Sequence, residues 1–326
     1  MYSICKNAKY DKLLIEQSSK DGKCTYYFSS LLTTKTTSNQ IVEDVQKSLF
    51  VPGYYKIYCG CDGLFIIGIG QGEDSICWLW NPSTRESIPL PPHQKKFFDI
   101  SYSEYSVYGL GYDPTSDDYK VFKVPEEDED APNEILSLKT GSWRKIFVGR
   151  CCIESFGMDY LAFLQGTFHW LSYLGCGMSM ITFNISNEVF GELPLPGEMR
   201  FNGHIDQGVA VLGGMLSVNY FGEKESNTIF DLWVMKDYGV KESWTKLFSM
   251  VDTRALHEIM QIVPKYIFED GEVLLGSDRR TAFRTFKESH GTSSLIGPLV
   301  GDEDIFEWDG FAYTESLISP KDCVLA

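Results

Sequence analysis

A chain of 326 residues, 43% hydrophobic and 14% aromatic, is long enough to bury a large core. Its formal charge of −16 disfavours nucleic acid and anionic membranes as partners and favours a basic protein. No apolar run approaches the ~20 residues that span a bilayer, and the N-terminal MYSICKNAKYDK has no apolar stretch of an export signal.

Residues 12–17 (KLLIEQ) and 24–31 (CTYYFSSL) read as a hairpin around Asp21-Gly22. After a polar stretch, residues 57–92 carry the unit that repeats down the chain. Asp62-Gly63 makes a turn, because Gly accepts positive φ without steric cost. The apolar run LFIIGI comes next, then the polar tip QGEDS, then ICWLW with Trp80. Asn81-Pro82 stops that run, since Pro has no N–H to continue a ladder. A third short strand is expected near Ile88.

Residues 93–106 are a loop rich in aromatics, Phe97, Phe98, Tyr102 and Tyr105, which are candidate anchors for a protein interface. Residues 107–124 (VYGLGYDPTSDDYKVFKV) read as a hairpin around Asp113-Pro114. The acidic run EEDED at 126–130 is a solvated loop insertion. The turn-plus-strand unit then recurs at Gly166 (GTFHWLSY, with Trp170), Gly214 (GMLSVNYF) and Gly271 (GEVLLGS). Each has a second strand after a polar gap, among them FDLWV with Trp233. Only residues 252–262 (DTRALHEIMQI) look helical. The last strand is expected in residues 309–319 (DGFAYTESLIS).

Third segments start on Ile88, Trp143, Phe190, Trp244 and Leu295, a spacing of about 50 residues. Trp143/Ile146, Phe190/Leu193 and Trp244/Leu247 share an i, i+3 spacing, which on a flat strand points the two residues to opposite faces. Burial on both faces, or a bend, is therefore expected. The whole implies one domain over residues 1–326: an all-β, kelch-like β-propeller of about six blades. An unpaired C-terminal strand would close the blade begun by the N-terminal hairpin.

Chemistry is harder to find. The five histidines show no metal-ligand spacing, and His169 in FHWL reads as a satisfied strand residue. Gly68, Gly70 and Gly72 resemble a phosphate loop but lead into a strand, so they read as a hairpin tip. Asp113, Asp117 and Asp118 lack the calcium-loop pattern, and Asp before Pro caps its own turn. Asn184-Ile185-Ser186 matches a glycosylation sequon by chance. The nine cysteines are odd in number and include Cys59, Cys61 and Cys77 in apolar strands, as suits reduced thiols of a cytoplasmic or nuclear protein. No catalytic constellation, metal site or cofactor site is expected.

CDGLFIIGI, LWNPSTRESIPLPP, YGLGYDPTSDDYKVFKV, LQGTFHWLS, FDLWVMKDYGVKESWTKL and FAYTESLIS together resemble the F-box-associated domain of plant F-box/kelch-repeat proteins. FDLWVMKDYGVKESW recurs in pollen S-locus F-box proteins too, so it does not separate those groups. The resemblance implies a propeller that recognises the protein substrate of an SCF-type ubiquitin ligase, without catalytic residues. In that family a helical F-box binds the Skp adaptor and through it the cullin. Nothing before Lys12 reads as an F-box, so adaptor contact is not expected from these residues. The competing expectation is a small-molecule or sugar-binding kelch propeller, such as an oxidase.

Overall fold

The computed structural model describes residues 11–19, 24–31, 43–44, 55–69, 76–91, 106–125, 132–146, 161–174, 177–197, 207–224, 227–251, 262–277, 283–287, 294–296 and 305–324. β1 (Asp11–Ser19), β2 (Cys24–Ser30) and β3 (Glu43–Asp44) open the chain. A first complete sheet is built from β4 (Tyr55–Cys61), β5 (Leu64–Ile69), β6 (Ile76–Asn81) and β7 (Glu86–Pro89). The second is β8 (Ser106–Asp113), β9 (Asp118–Pro125), β10 (Asn133–Ser137) and β11 (Ser142–Ile146). The third is β12 (Ala162–Leu164), β13 (Thr167–Leu174), β14 (Gly177–Asn184) and β15 (Val189–Leu193). The fourth is β16 (Gln207–Leu212), β17 (Met215–Lys224), β18 (Asn227–Met235) and β19 (Trp244–Val251). The fifth is β20 (Ile262–Ile267), β21 (Val273–Ser277), β22 (Phe283–Phe286) and β23 (Ser294–Ile296). β24 (Ile305–Thr314) then pairs with β1, so the described strands form six four-stranded sheets.

The sheets stand in a ring, and their cores show why. Each apolar cluster lies between two successive sheets. Leu64 and Ile66 meet Tyr108 and Val121 of the second sheet, while Phe122 and Ile135 of that sheet meet Phe168 and Phe183 of the third. Leu171 and Met180 meet Val218 and Trp233, and Phe230 and Leu232 meet Val273 and Leu275. Leu274 and Phe268 meet Leu13 and Ile15 of the terminal sheet. Leu14 and Tyr26 then meet Phe65 and Trp80, which returns to the first sheet. Every sheet is thus buried on both faces. That is why LFII and LLI are continuous apolar runs rather than alternating ones. The architecture is an all-β propeller.

The i, i+3 pairs obey the same geometry. Trp143 packs on the core before its sheet and Ile146 on the core after it. Phe190 and Leu193 divide likewise, without any shift of register. At Trp244 the strand does both things. A bulge shifts the β18–β19 register beside Leu232/Trp233, and Trp244 and Leu247 still reach different cores. The Trp side chains also hold the connections between sheets. Trp143 Nε1 donates to the Pro91 carbonyl at 3.3 Å, and Trp244 Nε1 to the Pro194 carbonyl at 2.8 Å. Close approach between sheets needs glycine at two places: a Cβ on Gly109 or Gly111 would stand 2.5 Å from the Phe168 or Phe163 ring.

Three expectations need correction. The closing strand is Ile305–Thr314, not residues 309–319: at Glu315 the chain turns off the sheet and runs on as a strap. Residues 252–261 lie outside the described residues, and Ile262, read as the end of a helix there, begins β20 because it packs into the core between the fourth and fifth sheets. Helical turns occur elsewhere, as the 3-10 turn Lys241–Ser243 and as α1 (Pro320–Cys323), where Ser319 caps Lys321 N–H and Pro320 sits in the first turn.

Candidate protein-interaction surface

Antiparallel order brings the turns between first and second strands, and between third and fourth, to one end of the ring. At Gly63, Gly166, Gly214 and Gly271 the expected positive φ is present, between +74 and +82°. Three of them come directly after a second left-handed residue, Asp62, Gln165 or Gly213, which gives two-residue hairpin turns of the favoured kind. Gly271 differs. It closes a longer turn from Phe268 to Glu272, so the four are not one turn repeated.

A second turn recurs around Asn81, Asp113 and Asn184. Asn81 Oδ1 accepts from Ser83 N–H at 2.8 Å, Asp113 Oδ1 from Thr115 N–H at 2.9 Å, and Asn184 Oδ1 from Ser186 N–H at 3.1 Å. Four residues after each, Arg85, Asp117 and Glu188 take positive φ. NPSTRE, DPTSDD and NISNEV are therefore one element, and their shared Asx-x-[ST] start was the available signal. The Asn184 amide is turned inward, with Nδ2 donating to Thr167 Oγ1 at 3.3 Å. Pro82 lies in the first of these turns.

These turns tie the sheets together. Asp113 accepts from Ser186 Oγ of the next sheet at 2.5 Å and from Lys120 Nζ at 2.6 Å, and Lys120 also reaches the Ile185 carbonyl at 3.2 Å. Burial pushes the Asp113 carboxyl up, but the bonds from Lys120, Ser116, Ser186 and Thr115 outweigh it and hold it well below the usual carboxylate range. Arg144 spans the same gap to Glu188 with both guanidinium nitrogens. Beside them is a cavity of about 360 Å³, lined among others by Lys120, Asp118, Ser137, Lys139 and Arg144. Its cations are matched by carboxylates, Lys120 by Asp113, Lys139 by Asp117 and Arg144 by Glu188, so it offers an arriving ion little. No group of three or more His, Cys, Asp or Glu that could hold a metal occurs among the described residues.

His169 is fully buried and joins the third sheet to the fourth. Its Nδ1 lies 3.1 Å from the Ala162 carbonyl, which can only accept. Nδ1 therefore carries the proton, and Nε2, at 2.8 Å, accepts from the Tyr238 hydroxyl. Burial pushes its pKa down to about 4, so the ring is neutral. Trp170 and Trp233 are core residues, the latter with Lys246 Nζ 4.8 Å from its ring centroid, and Trp80 packs at tilted angles against Tyr26 and Phe65 where the ring closes. Cys59 and Cys77 are buried thiols, raised by desolvation.

The strap crosses this end of the ring. Asn81 Nδ2 donates to the carbonyls of Ser316 at 3.1 Å and Ile318 at 2.8 Å. Glu86 takes Ser319 Oγ at 2.7 Å and Lys321 Nζ at 3.0 Å. Ile318, Cys323 and Val324 pack on the core between the first two sheets. Gly63 leaves room for it, since a Cβ there would lie 2.7 Å from Ser316 Oγ. The aromatic candidates Phe97, Phe98, Tyr102 and Tyr105 lie outside the described residues, as do the acidic run at 126–130 and the glycine-rich tip at 70–75. Pro89 and Ser106, which flank the aromatic loop, are at the end of the ring opposite the turns.

Residues 12–284 match the family model of the F-box associated beta propeller domain. F-box protein CPR1 of Arabidopsis thaliana is 30% identical over 72% of this chain, and the match spans 61% of that protein. The F-box/kelch-repeat protein At3g23880 of the same plant is 29% identical over 60% of this chain and 53% of its own length. The chain thus spans less than two thirds of the relatives it matches. Among solved structures, the Kuenenia stuttgartiensis hydrazine synthase shares the fold alone, with a TM-score of 0.51, 11% identity, and coverage of 95% of this chain and 48% of that one. The chain belongs to the F-box associated beta propeller domain family.

Proposed function

We propose that this chain is a non-catalytic recognition module that holds a protein for ubiquitin transfer, as the substrate-binding part of an SCF-type ligase. The observation that carries this reading is the family match across residues 12–284, on relatives named as F-box proteins. In such an assembly a Skp-class adaptor and a cullin supply the link to the ligase, and the six sheets serve as blades of a kelch-like ring. A rigid ring whose turns are hydrogen-bonded from blade to blade suits a role in presenting surface rather than closing on a small molecule. The charge of −16 favours a basic protein as the substrate, in the cytoplasm or nucleus. The segment holding Phe97, Phe98, Tyr102 and Tyr105 is one proposed contact.

The test is affinity capture with the full chain from plant tissue, with and without proteasome inhibition. A protein that is retained in both and accumulates under inhibition fits the reading. Retention of proteins whose abundance and ubiquitination ignore the inhibitor would reject it.

A further inference from the structure

We propose that Leu317 is a second docking anchor, at the turn end of the ring, for a partner protein that offers an apolar pocket rimmed by lysine and arginine. It rests on the reading of the chain as a protein-recognition module, but not on the loop at residues 93–106.

Leu317 is 90% exposed, more than any other exposed large hydrophobic residue among the described ones. A lone exposed leucine needs no explanation. This one is held out by its neighbours. Asn81 is fully buried, and its Oδ1 is fixed by the N–H groups of Ser83 and Thr84, so its Nδ2 has one orientation left. That Nδ2 grips the carbonyls of Ser316 and Ile318, on either side of Leu317. Ile318 packs down on the core, and Glu86 fastens Ser319 and Lys321 beyond it. With the flanking residues fixed, the side chain between them points to solvent without freedom of its backbone. An apolar group presented in this way loses little entropy when a partner covers it, which is the economy of a preorganised anchor.

The charge of the surroundings selects the partner. Asp62 in the turn under the strap, and Glu315 and Asp322 beside Leu317, are exposed carboxylates. Of the exposed cations nearby, Lys321 is paired with Glu86 and Arg85 stands in the Asn81 turn, so acidic groups outnumber basic ones, on a chain that carries −16. A pocket bordered by basic side chains meets favourable potential there, and an acidic one is repelled.

The experiment places a photo-reactive benzoyl-phenylalanine at position 317 of the full chain, with the same probe at Val240 as a control on another turn. Proteins from plant extract that cross-link only through position 317 are identified, expressed and titrated against variants. Leu317→Ser should weaken binding at least 10-fold with an unchanged Tm, and Leu317→Met should stay within about threefold of the native chain. Unchanged affinity of Leu317→Ser, or no adduct beyond the Val240 control, overturns the proposal. If Phe97→Ala with Tyr102→Ala abolishes binding while Leu317→Ser does not, the anchor is wrong and the recognition reading stands. If position 317 yields no partner and affinity capture by the whole chain also finds none, both fail.

Discussion

Lys120 Nζ stands 2.6 Å from Asp113 Oδ2, and the carboxylate it neutralises also receives Ser186 from the neighbouring blade. Both residues are buried, so the pair is judged by what happens when one half is removed. Lys120→Met should cost about 3 kcal/mol, because Asp113 then keeps its charge without a counter-ion. Lys120→Met with Asp113→Asn should recover part of that loss. Urea denaturation of the three variants measures it. The Asp113 carboxyl is depressed in the folded state, so its contribution is present above the unfolded value near pH 4 and is lost as pH falls below it.

His169 makes a separate pH dependence. Its folded pKa is about 4, against 6.5 for the free imidazole, so unfolding takes up a proton between those values. Stability should rise with pH across that window, by up to about 3 kcal/mol, and be flat above it. His169→Gln should flatten the window in a melt series from pH 4 to 7. Tyr238→Phe should keep the slope and cost about 1 kcal/mol through the lost hydrogen bond.

At the turns, Gly166→Val and Gly214→Val should each cost roughly 1–3 kcal/mol from backbone strain alone, since nothing crowds the space a Cβ would fill. Gly63→Ala should do more than its strain predicts. Its Cβ would collide with Ser316, so the strap should lift and hydrogen exchange at residues 316–319 should quicken.

Ring closure is tested by removing β24 together with the strap. Without residues 305–326 the edges of β1 and the apolar faces of Leu14 and Phe65 lose cover, and the chain should aggregate or lose its cooperative melt. A truncated chain that melts like the whole one would refute the closure.

For the proposed aromatic contact, Phe97→Ala with Tyr102→Ala should speed dissociation of a captured partner by on the order of 1–2 kcal/mol, with folding unchanged. Salt should slow association and leave dissociation nearly alone. Surface plasmon resonance separates the two rates.

The repeat was legible because its markers are backbone rules. Gly63 and Gly166 sit where only φ > 0 fits, and Trp143 and Trp244 mark outer strands of the same repeat. Terminal closure was legible from the unpaired strand at Phe311. The extent of that strand was not, because Glu315 to Ser319 have strand-like composition but are drawn onto Asn81 and Glu86, residues near the other end of the chain. The same holds for the Asp113–Ser186 tie and the His169–Tyr238 bond, whose partners lie in neighbouring blades. Asn81-Pro82 marks a strand end, and nothing local announces that the Asn81 amide clamps the strap.

The pairing of Asp11 with Thr314 also has a meaning for synthesis. At roughly 5–20 residues per second, the N-terminal hairpin leaves the ribosome about 15–60 s before the strand that covers its inner edge exists. Five sheets can form in order behind it, yet the circle stays open and its first sheet unfinished until β24 has been made. A chain released early by a premature stop codon carries that open seam permanently. Synthesis of β24, rather than collapse of the core, is therefore the event that covers the open edge of the first sheet.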